Sequence, residues 1–557
     1  MTTVICTTLL IEKSPQALPL GAGCVASAIK NFPETAGGTS VCLKAFSMED
    51  KALLDLQNDE GKARYIAEEL YAIAEKKGGG CESQEGNKLI ICFSTFVWNV
   101  QILRRAAILL KEKGAITIAG GPEITAHPAF YTDFDYTVSG EGELSVPALI
   151  AQIISEEYDK SDRVIISRAP ELAVLHSPYL DGMIDPAEYG GALWELARGC
   201  PFKCAYCYES KGEKTVRLFP MERIKAELEL FAKKKVPQVF VLDPTYNVNK
   251  KRAVELLRLI RQKTPNTFYY FEARAEFIDR ELAREFTKIP CALQIGLQSA
   301  NEETLRLVNR PFDKKKFVRN LQILNEEGVT FGLDLIFGLP GESFGSFRDG
   351  VDFAIAQLPN NLEIFCLSVL PGTELFDRAA SLGLTWEDKP PYHVLHTKQF
   401  TTDDMERARR LAAACSFFYN AGRAVPWFNQ VCRVLKLKPS KFFELFYDKH
   451  SKECEDQTCC EDHKKVEEVQ LAFLQKEFSA RHLERYYRAA EDVIKFYGAI
   501  SRTTATGQSE IVNLNYNAEY VASDYATDLR WFAENVKLSK CRIRTFLNQG
   551  QADFKFI

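Results

Sequence analysis

The chain has 557 residues, of which 46% are hydrophobic and 26% charged, and its formal net charge at pH 7 is -5. That length calls for about two to four domains, and the balance of residues is that of a globular protein. The slightly acidic total excludes a chain built to wrap nucleic acid, and no apolar run approaches the roughly 20 residues needed to cross a bilayer.

Met1 to Leu10 carries neither a basic n-region nor a cleavage site, so it reads as a first strand and not as a signal peptide. Sixteen cysteines without a secretory signal point to a reducing compartment, and a cytoplasmic location is expected. Apolar, β-rich segments recur at 4–10, 40–46, 88–94, 115–119 and 136–138, with helical stretches at 21–30, 62–76 and 99–113. This alternation predicts a small α/β domain over 1–150 with parallel strands and a ligand beyond their carboxyl ends. Polar or glycine-rich tips fall there: Leu20 and Gly21, Ser94 and Thr95, Gly120 and Gly121, then Gly140, Glu141, Gly142 and Glu143. None is a G-x-G-x-x-G fingerprint. As loops alone they serve equally well as turns or as ligand contacts.

A connector is expected over 151–190, punctuated by Pro170, Pro178 and Pro186. Next come three cysteines, Cys200, Cys204 and Cys207, spaced C-x3-C-x2-C with Tyr206 just before the last. A C-x2-C pair reads first as zinc or a redox dithiol, but structural zinc wants a fourth protein ligand. His176 lies well upstream and no histidine follows before His393. Three thiolates on one loop can instead hold three irons of a cubic [4Fe-4S] cluster, leaving the fourth iron open. Strand-like segments then alternate with helices at 193–197, 238–242, 269–273, 293–296, 332–337 and 362–370. Six such β/α units predict a partial barrel over 191–400 with its chemistry at the strands' carboxyl ends.

The cysteine motif resembles that of the radical S-adenosylmethionine (SAM) enzymes, and later segments match the same pattern in order. The loop at Asp243 and Pro244, the strand ends at Glu272 and Arg274 and at Gln298 and Ser299, and the segment from Asp334 to Glu342 are similar to that family's SAM-binding stretches. The resemblance implies that Cys200, Cys204 and Cys207 ligate the cluster, and that Tyr206, Asp243, Glu272, Arg274, Gln298, Ser299 and Asp334 surround SAM. An acid for the ammonium and a guanidinium for the carboxylate suit a zwitterionic headgroup. The first domain looks like the cobalamin-binding domain that precedes one class of these enzymes. That implies a corrinoid over Leu20, Gly21, Ser94, Thr95, Gly120, Gly121, Glu141 and Gly142. The D-x-H-x-x-G motif that supplies a lower axial histidine is absent from the sequence, so the lower ligand of cobalt is not named.

Beyond Thr402 the pattern turns to amphipathic helices, at 403–419 and 466–497, with a strand pair at 510–516 and 543–546. This predicts a mainly helical domain over 401–557 whose many aromatics form core. Cys454, Cys459, Cys460 and His463 have metal-capable types at irregular spacing. The family resemblance implies a cobalamin-dependent radical SAM methyltransferase acting on an unactivated carbon, served by a flavodoxin- or ferredoxin-type electron donor. A non-methylating cyclase, rearrangement or oxidation enzyme and a corrinoid-binding or redox-sensing protein are the alternatives. The substrate is not read from the sequence.

Overall fold

The computed structural model describes residues 2–36, 38–77, 88–157, 162–210, 215–456, 460–548 and 550–557. Its first sheet has six parallel strands: β1 (Thr2–Leu10), β2 (Thr39–Ser47), β3 (Leu89–Ser94), β4 (Ile116–Gly120), β5 (Tyr136–Ser139) and β6 (Val164–Ile166). The order is β2-β1-β3-β4-β5-β6. Every residue of β1 is buried, as a central parallel strand covered on both faces requires. Alternate side chains supply two cores. Ile5, Leu9, Ile91 and Phe93 pack under helices Asp59–Lys76 and Val100–Glu112. Val4, Cys6, Ile90 and Cys92 pack under Leu20–Asn31 and Gly142–Ser155. Strand order reverses between β1 and β3, which marks the crevice at their tips as the place for a ligand.

One expectation needs correction. The stretch 151–190 is not merely a connector, because it contains the end of helix Gly142–Ser155 and the strand β6, which pairs with β5. Only beyond β6 does the chain run irregularly toward the second sheet. There Ser177 (2.6 Å) and the indole of Trp194 (2.8 Å) donate to the buried carboxylate of Glu227, which also pairs with Arg223 at 2.9 Å. These bonds fasten the connector to the second sheet's first strand and first helix.

That strand is β7 (Ala192–Trp194). A short antiparallel hairpin, β8 (Ala197–Arg198) and β9 (Arg217–Leu218), follows, and then β10 (Gln238–Val241), β11 (Phe268–Ala273), β12 (Cys291–Gln298), β13 (Phe331–Phe337) and β14 (Asn361–Cys366). The sheet order is β14-β13-β12-β11-β10-β7, all parallel, so β7 and β14 are the two edges of an open six-stranded barrel. Outward side chains such as Val239, Tyr269, Phe271, Leu293, Ile295 and Leu333 are buried under helices that include Met221–Lys234, Lys250–Lys263 and Lys314–Glu327. Inward residues behave differently. Tyr270, Glu272 and Phe365 remain exposed on the concave face, with Phe365 51% accessible.

A two-stranded hairpin, β15 (Thr385–Trp386) and β16 (Val394–His396), leads to the helical part. Phe417, Phe418, Phe442, Phe446 and Phe473 are buried there in edge-to-face and stacked contacts. Two helix expectations change. The stretch 403–419 is helix Thr402–Cys415 continued by a π-helical turn, Ser416–Ala421. The stretch 466–497 is two helices, His463–Ala480 and Glu484–Thr506, broken where His482 takes a left-handed φ of 55°. The expected strand pair is present as β17 (Ile511–Leu514) and β18 (Cys541–Asn548), and β19 (Gln551–Phe556) adds a third antiparallel strand.

Removing the Glu227 carboxylate strands the Arg223 charge and the Trp194 N–H in a buried setting. Glu227→Ala should cost about 3–5 kcal/mol. Glu229→Ala, an exposed acid of the same helix paired with Lys263, should leave stability almost unchanged. Urea unfolding followed by tryptophan fluorescence compares the two.

Candidate active site

Leaving β8, the chain turns at Gly199 with φ +90°, where an added Cβ would lie 2.8 Å from the Thr215 carbonyl oxygen. Glycine is required there. Cys200, Cys204 and Cys207 follow, none in a disulfide, with Cys204 buried and the others partly so. The loop is held by backbone bonds to two short helices, at the C-cap of Glu302–Leu307 and in the first turn of Glu374–Arg378. Ala205 N–H donates to Val308 O at 2.9 Å, and Leu375 N–H donates to Ala205 O at 2.8 Å. Arg310 places Nη1 3.7 Å from Cys204 Sγ and bonds the Gly296 carbonyl with its other nitrogen. Burial raises the Cys200 thiol above its ordinary value and pushes Cys207 up to about 11. Thiols of this kind give up their protons when iron binds. Among the described residues no three His, Cys, Asp or Glu side chains converge as they would on a single ion. A cubic cluster does not need that convergence, since each thiolate meets a different iron. Tyr206 is partly buried against the barrel core, and desolvation there raises its hydroxyl pKa.

The remaining barrel residues divide by direction. Asp243 is buried, and its Oδ1 accepts from Leu196 N–H and Ala197 N–H, both at 2.9 Å. Burial nonetheless raises its carboxyl to about 7. Glu272 opens onto the concave side, where desolvation by the enclosing walls and then the nearby Asp334 push it to about 7. Asp334 takes a 2.5 Å bond from Gln294 and is raised by burial to about 6. The register pairs Glu272 with Gln294, and Asp334 with both Gly296 and Glu363, so these groups occupy adjoining layers of the concave face. Arg274 is buried, ion-paired with Glu276 at 2.8 Å, with its guanidinium 3.9 Å from the ring centroid of Phe202 in the cysteine loop. Gln298 adopts φ 71° where the β12–β13 register shifts. Ser299 is buried and donates to Glu342 at 2.6 Å. Burial raises Glu342 to about 8.

At the first sheet, the tips of β1 and β3 meet. A Cβ on Gly21 would lie 3.4 Å from Ser94 Oγ, and Trp98, stacked on Phe96 and 42% exposed, bonds the Leu9 carbonyl. A flat macrocycle wants such an apolar wall beside backbone it can approach closely. Thr95 is fully buried. Its N–H (2.9 Å) and its hydroxyl (2.8 Å) both donate to Gly120 O, while Gly121, at φ +105°, leaves no room for a Cβ above the Thr95 carbonyl. Thr95 therefore shapes the crevice from beneath. Glu141, at the start of helix Gly142–Ser155, directs its carboxylate to Arg198 at 2.6 Å and to Arg217. Further links cross between the two sheets. Tyr208 donates to Pro122 O at 3.1 Å, and Tyr392 donates to Glu123 at 2.5 Å. The strand tips of the first sheet and the cysteine loop thus border one crevice.

Arg198, Arg310, Gln294 and Glu363 escaped the sequence reading. Only Arg198 carried a signal, its place directly before Gly199-Cys200. In the helical part, Cys459 lies outside the described residues, Cys454 and Cys460 pack against the core, and His463 Nδ1 bonds Ala421 O at 3.0 Å.

Residues 194–354 match the radical SAM superfamily, and residues 380–508 match a protein family of unknown function, DUF4080. The chain is 27% identical over 325 residues to the cobalamin-dependent radical SAM methyltransferase TokK of Streptomyces tokunonensis, covering 51% of this chain and 48% of that protein. It is also 27% identical over 353 residues to the 2-(S-pantetheinyl)-carbapenam-3-carboxylate methyltransferase of Streptantibioticus cattleyicolor, covering 54% and 50%. The chain spans about half the length of these curated relatives. Among solved structures, the cobalamin-dependent SAM radical enzyme OxsB superposes with a TM-score of 0.54 at 11% identity, over 96% of this chain and 84% of that one. The methyltransferase TsrM of Kitasatospora setae, with cobalamin and a [4Fe-4S] cluster bound, gives 0.53 at 17% identity, over 73% and 85%. The chain carries a radical SAM domain, and the expected α/β architecture with parallel sheets holds.

Glu342 supplies a pH test. Its carboxyl is raised from 4.5 to about 8, so the folded chain holds a proton that the unfolded chain releases. The stability from that proton is complete below about pH 4.5 and is lost as pH rises through 8. Glu342→Gln should remove this part of the pH dependence, so that the thermal midpoint falls less between pH 5 and 8, by roughly 2 °C or more. A midpoint series in that window checks it.

Proposed function

We propose that the protein is a cobalamin-dependent radical SAM enzyme that methylates an unactivated carbon of a substrate held on the concave face of the second sheet. One observation carries the reading: the three-cysteine loop is joined by direct contacts, Tyr208 to Pro122 and Arg198 to Glu141, to the glycine-rich tips of a β2-β1-β3-β4-β5-β6 sheet. Cys200, Cys204 and Cys207 would hold three irons of a [4Fe-4S] cluster. Tyr206, Asp243, Glu272, Arg274, Gln298, Ser299 and Asp334 would surround SAM, with Ser299 and Arg274 acting through the wall they build. Leu20, Gly21, Ser94, Gly120, Gly121 and Gly142 would receive the corrinoid, over a turn fixed by Thr95. Bound together, these groups supply a 5′-deoxyadenosyl radical and a methyl donor.

The chain's own residues would do the rest. The loop's backbone bonds fix the cluster's place, Arg274 on Phe202 stiffens its near side, and the concave wall of Phe240, Tyr270 and Phe365 offers an apolar seat for substrate. No helix among the described residues is long and apolar enough to cross a membrane. A cytoplasmic location and a flavodoxin- or ferredoxin-type reductant accord with the reading.

Anaerobic reconstitution with iron, sulfide and hydroxocobalamin tests it. About four irons and about one corrinoid per chain are expected, together with reductant-dependent release of 5′-deoxyadenosine from SAM. Replacing any one of the three cysteines with alanine should reduce that release at least about 100-fold, because the open-iron cluster is lost. SAM labelled with deuterium in its methyl group should pass the label to the corrinoid and then to product. Retention of all label on cobalt would favour a non-methylating outcome, and failure to take up iron and corrinoid would refute the proposal.

A further inference from the structure

We infer that Arg198 is a positioning residue that fixes how far apart, and at what tilt, the cysteine loop and the first sheet's strand tips are held. The identity of the two cofactors rests on the function proposed above. The tie itself rests on geometry alone.

Every guanidinium nitrogen of Arg198 is engaged. Nε and Nη2 meet Glu195 at 3.1 and 2.9 Å, Nη1 meets Glu141 at 2.6 Å, and Nη2 also meets Glu143 at 2.7 Å. Glu195 follows β7 in the second sheet, whereas Glu141 and Glu143 open the helix that follows β5 in the first. The fork therefore binds acids from both sides of the crevice. Arg217, its antiparallel partner in the β8–β9 hairpin, also pairs with Glu141 and donates to Pro170 O at 2.6 Å. The Arg198 side chain is 14% exposed and Glu143 8%. Water competes little for these bonds, and a planar, bidentate fork fixes orientation as well as distance.

The location gives the tie its consequence. Arg198 stands two residues before Cys200, and the intervening Gly199 sits in a turn too tight for any other residue. One side chain and two residues thus connect the first sheet's helix to the first cluster thiol. Without Arg198, Glu143 and Glu195 lose this ion pair while Glu141 keeps Arg217, and the mutual repulsion of the three carboxylates would open the crevice. An ordinary stabilising ion pair would lower stability and leave the separation unchanged.

The test uses Arg198→Met, and Arg198→Lys, which keeps the charge but not the fork. In the cofactor-free chain, hydrogen exchange over 139–143 and 197–207 should accelerate at least tenfold in Arg198→Met and less in Arg198→Lys. In the reconstituted chain, pulsed dipolar EPR between the reduced cluster and cob(II)alamin should give one narrow distance distribution. That distribution should broaden or shift in Arg198→Met, with iron and corrinoid content unchanged. Should Arg198→Met fail to fold, the double variant Glu141→Gln, Glu143→Gln, which keeps the Arg198–Glu195 pair, carries the same two measurements. A distance distribution that overlays the unmodified one, or unchanged exchange in both segments, overturns the inference. Absence of cofactor uptake by the unmodified chain would instead refute the functional proposal and leave the exchange result to judge the tie.

Discussion

Parallel strand direction is the constraint from which the rest of the structure follows. Both large sheets are wholly parallel, so all their loops of consequence emerge at carboxyl ends, and those two ends face each other. Tyr208 and Pro122 join loops of this kind, while Arg198 of the β8–β9 hairpin reaches Glu141 and Tyr392 of the β15–β16 hairpin reaches Glu123. A cysteine loop placed after the first barrel strand can therefore open only toward the tips of the neighbouring sheet.

The raised acids of the second sheet and its loops share one main cause. Asp243, Glu272, Asp334 and Glu342 are all raised, and burial is the largest contribution in each case. Nearby cations offset it only in part: Arg252 lowers Asp243 and Arg310 lowers Asp334, while Arg274 is engaged with Glu276 and the Phe202 ring. Such acids are held near the point where they exchange protons at neutral pH. Arrival of positive charge would lower those pKa values and hold the carboxylates ionised.

The sequence made the strands visible because their ends are punctuated, and it failed where direction or distant partners decide. The glycines at 21, 120, 121 and 142 and the six barrel strands could be read from pattern alone. Strand β6 could not, since Val164–Ile166 is three residues long and partly exposed. The break at His482 carries no glycine or proline to announce it. Glu141 beside two glycines reads as a ligand contact, yet its partner is a guanidinium 57 residues later. Thr95 lies at the correct tip, but the hydrogen-bonding reach of its side chain ends at Gly120 O. Residue type and position along a strand are sequence properties, whereas the aim of a side chain is settled by packing.

Asp243 illustrates how a single carboxylate can serve wall and site together. Its Oδ1 satisfies two backbone N–H groups where the chain leaves β7 for the hairpin, and this sets the course of the polypeptide toward Cys200. Two such bonds alone would hold a carboxylate well below its usual range, yet burial keeps this one near 7. The cost of burying the charge is therefore only partly met by the protein. Arg252 already opposes that burial without cancelling it. The same side chain that sets the chain's course toward the cysteines thus keeps a raised pKa that neither its two N–H donors nor Arg252 cancels.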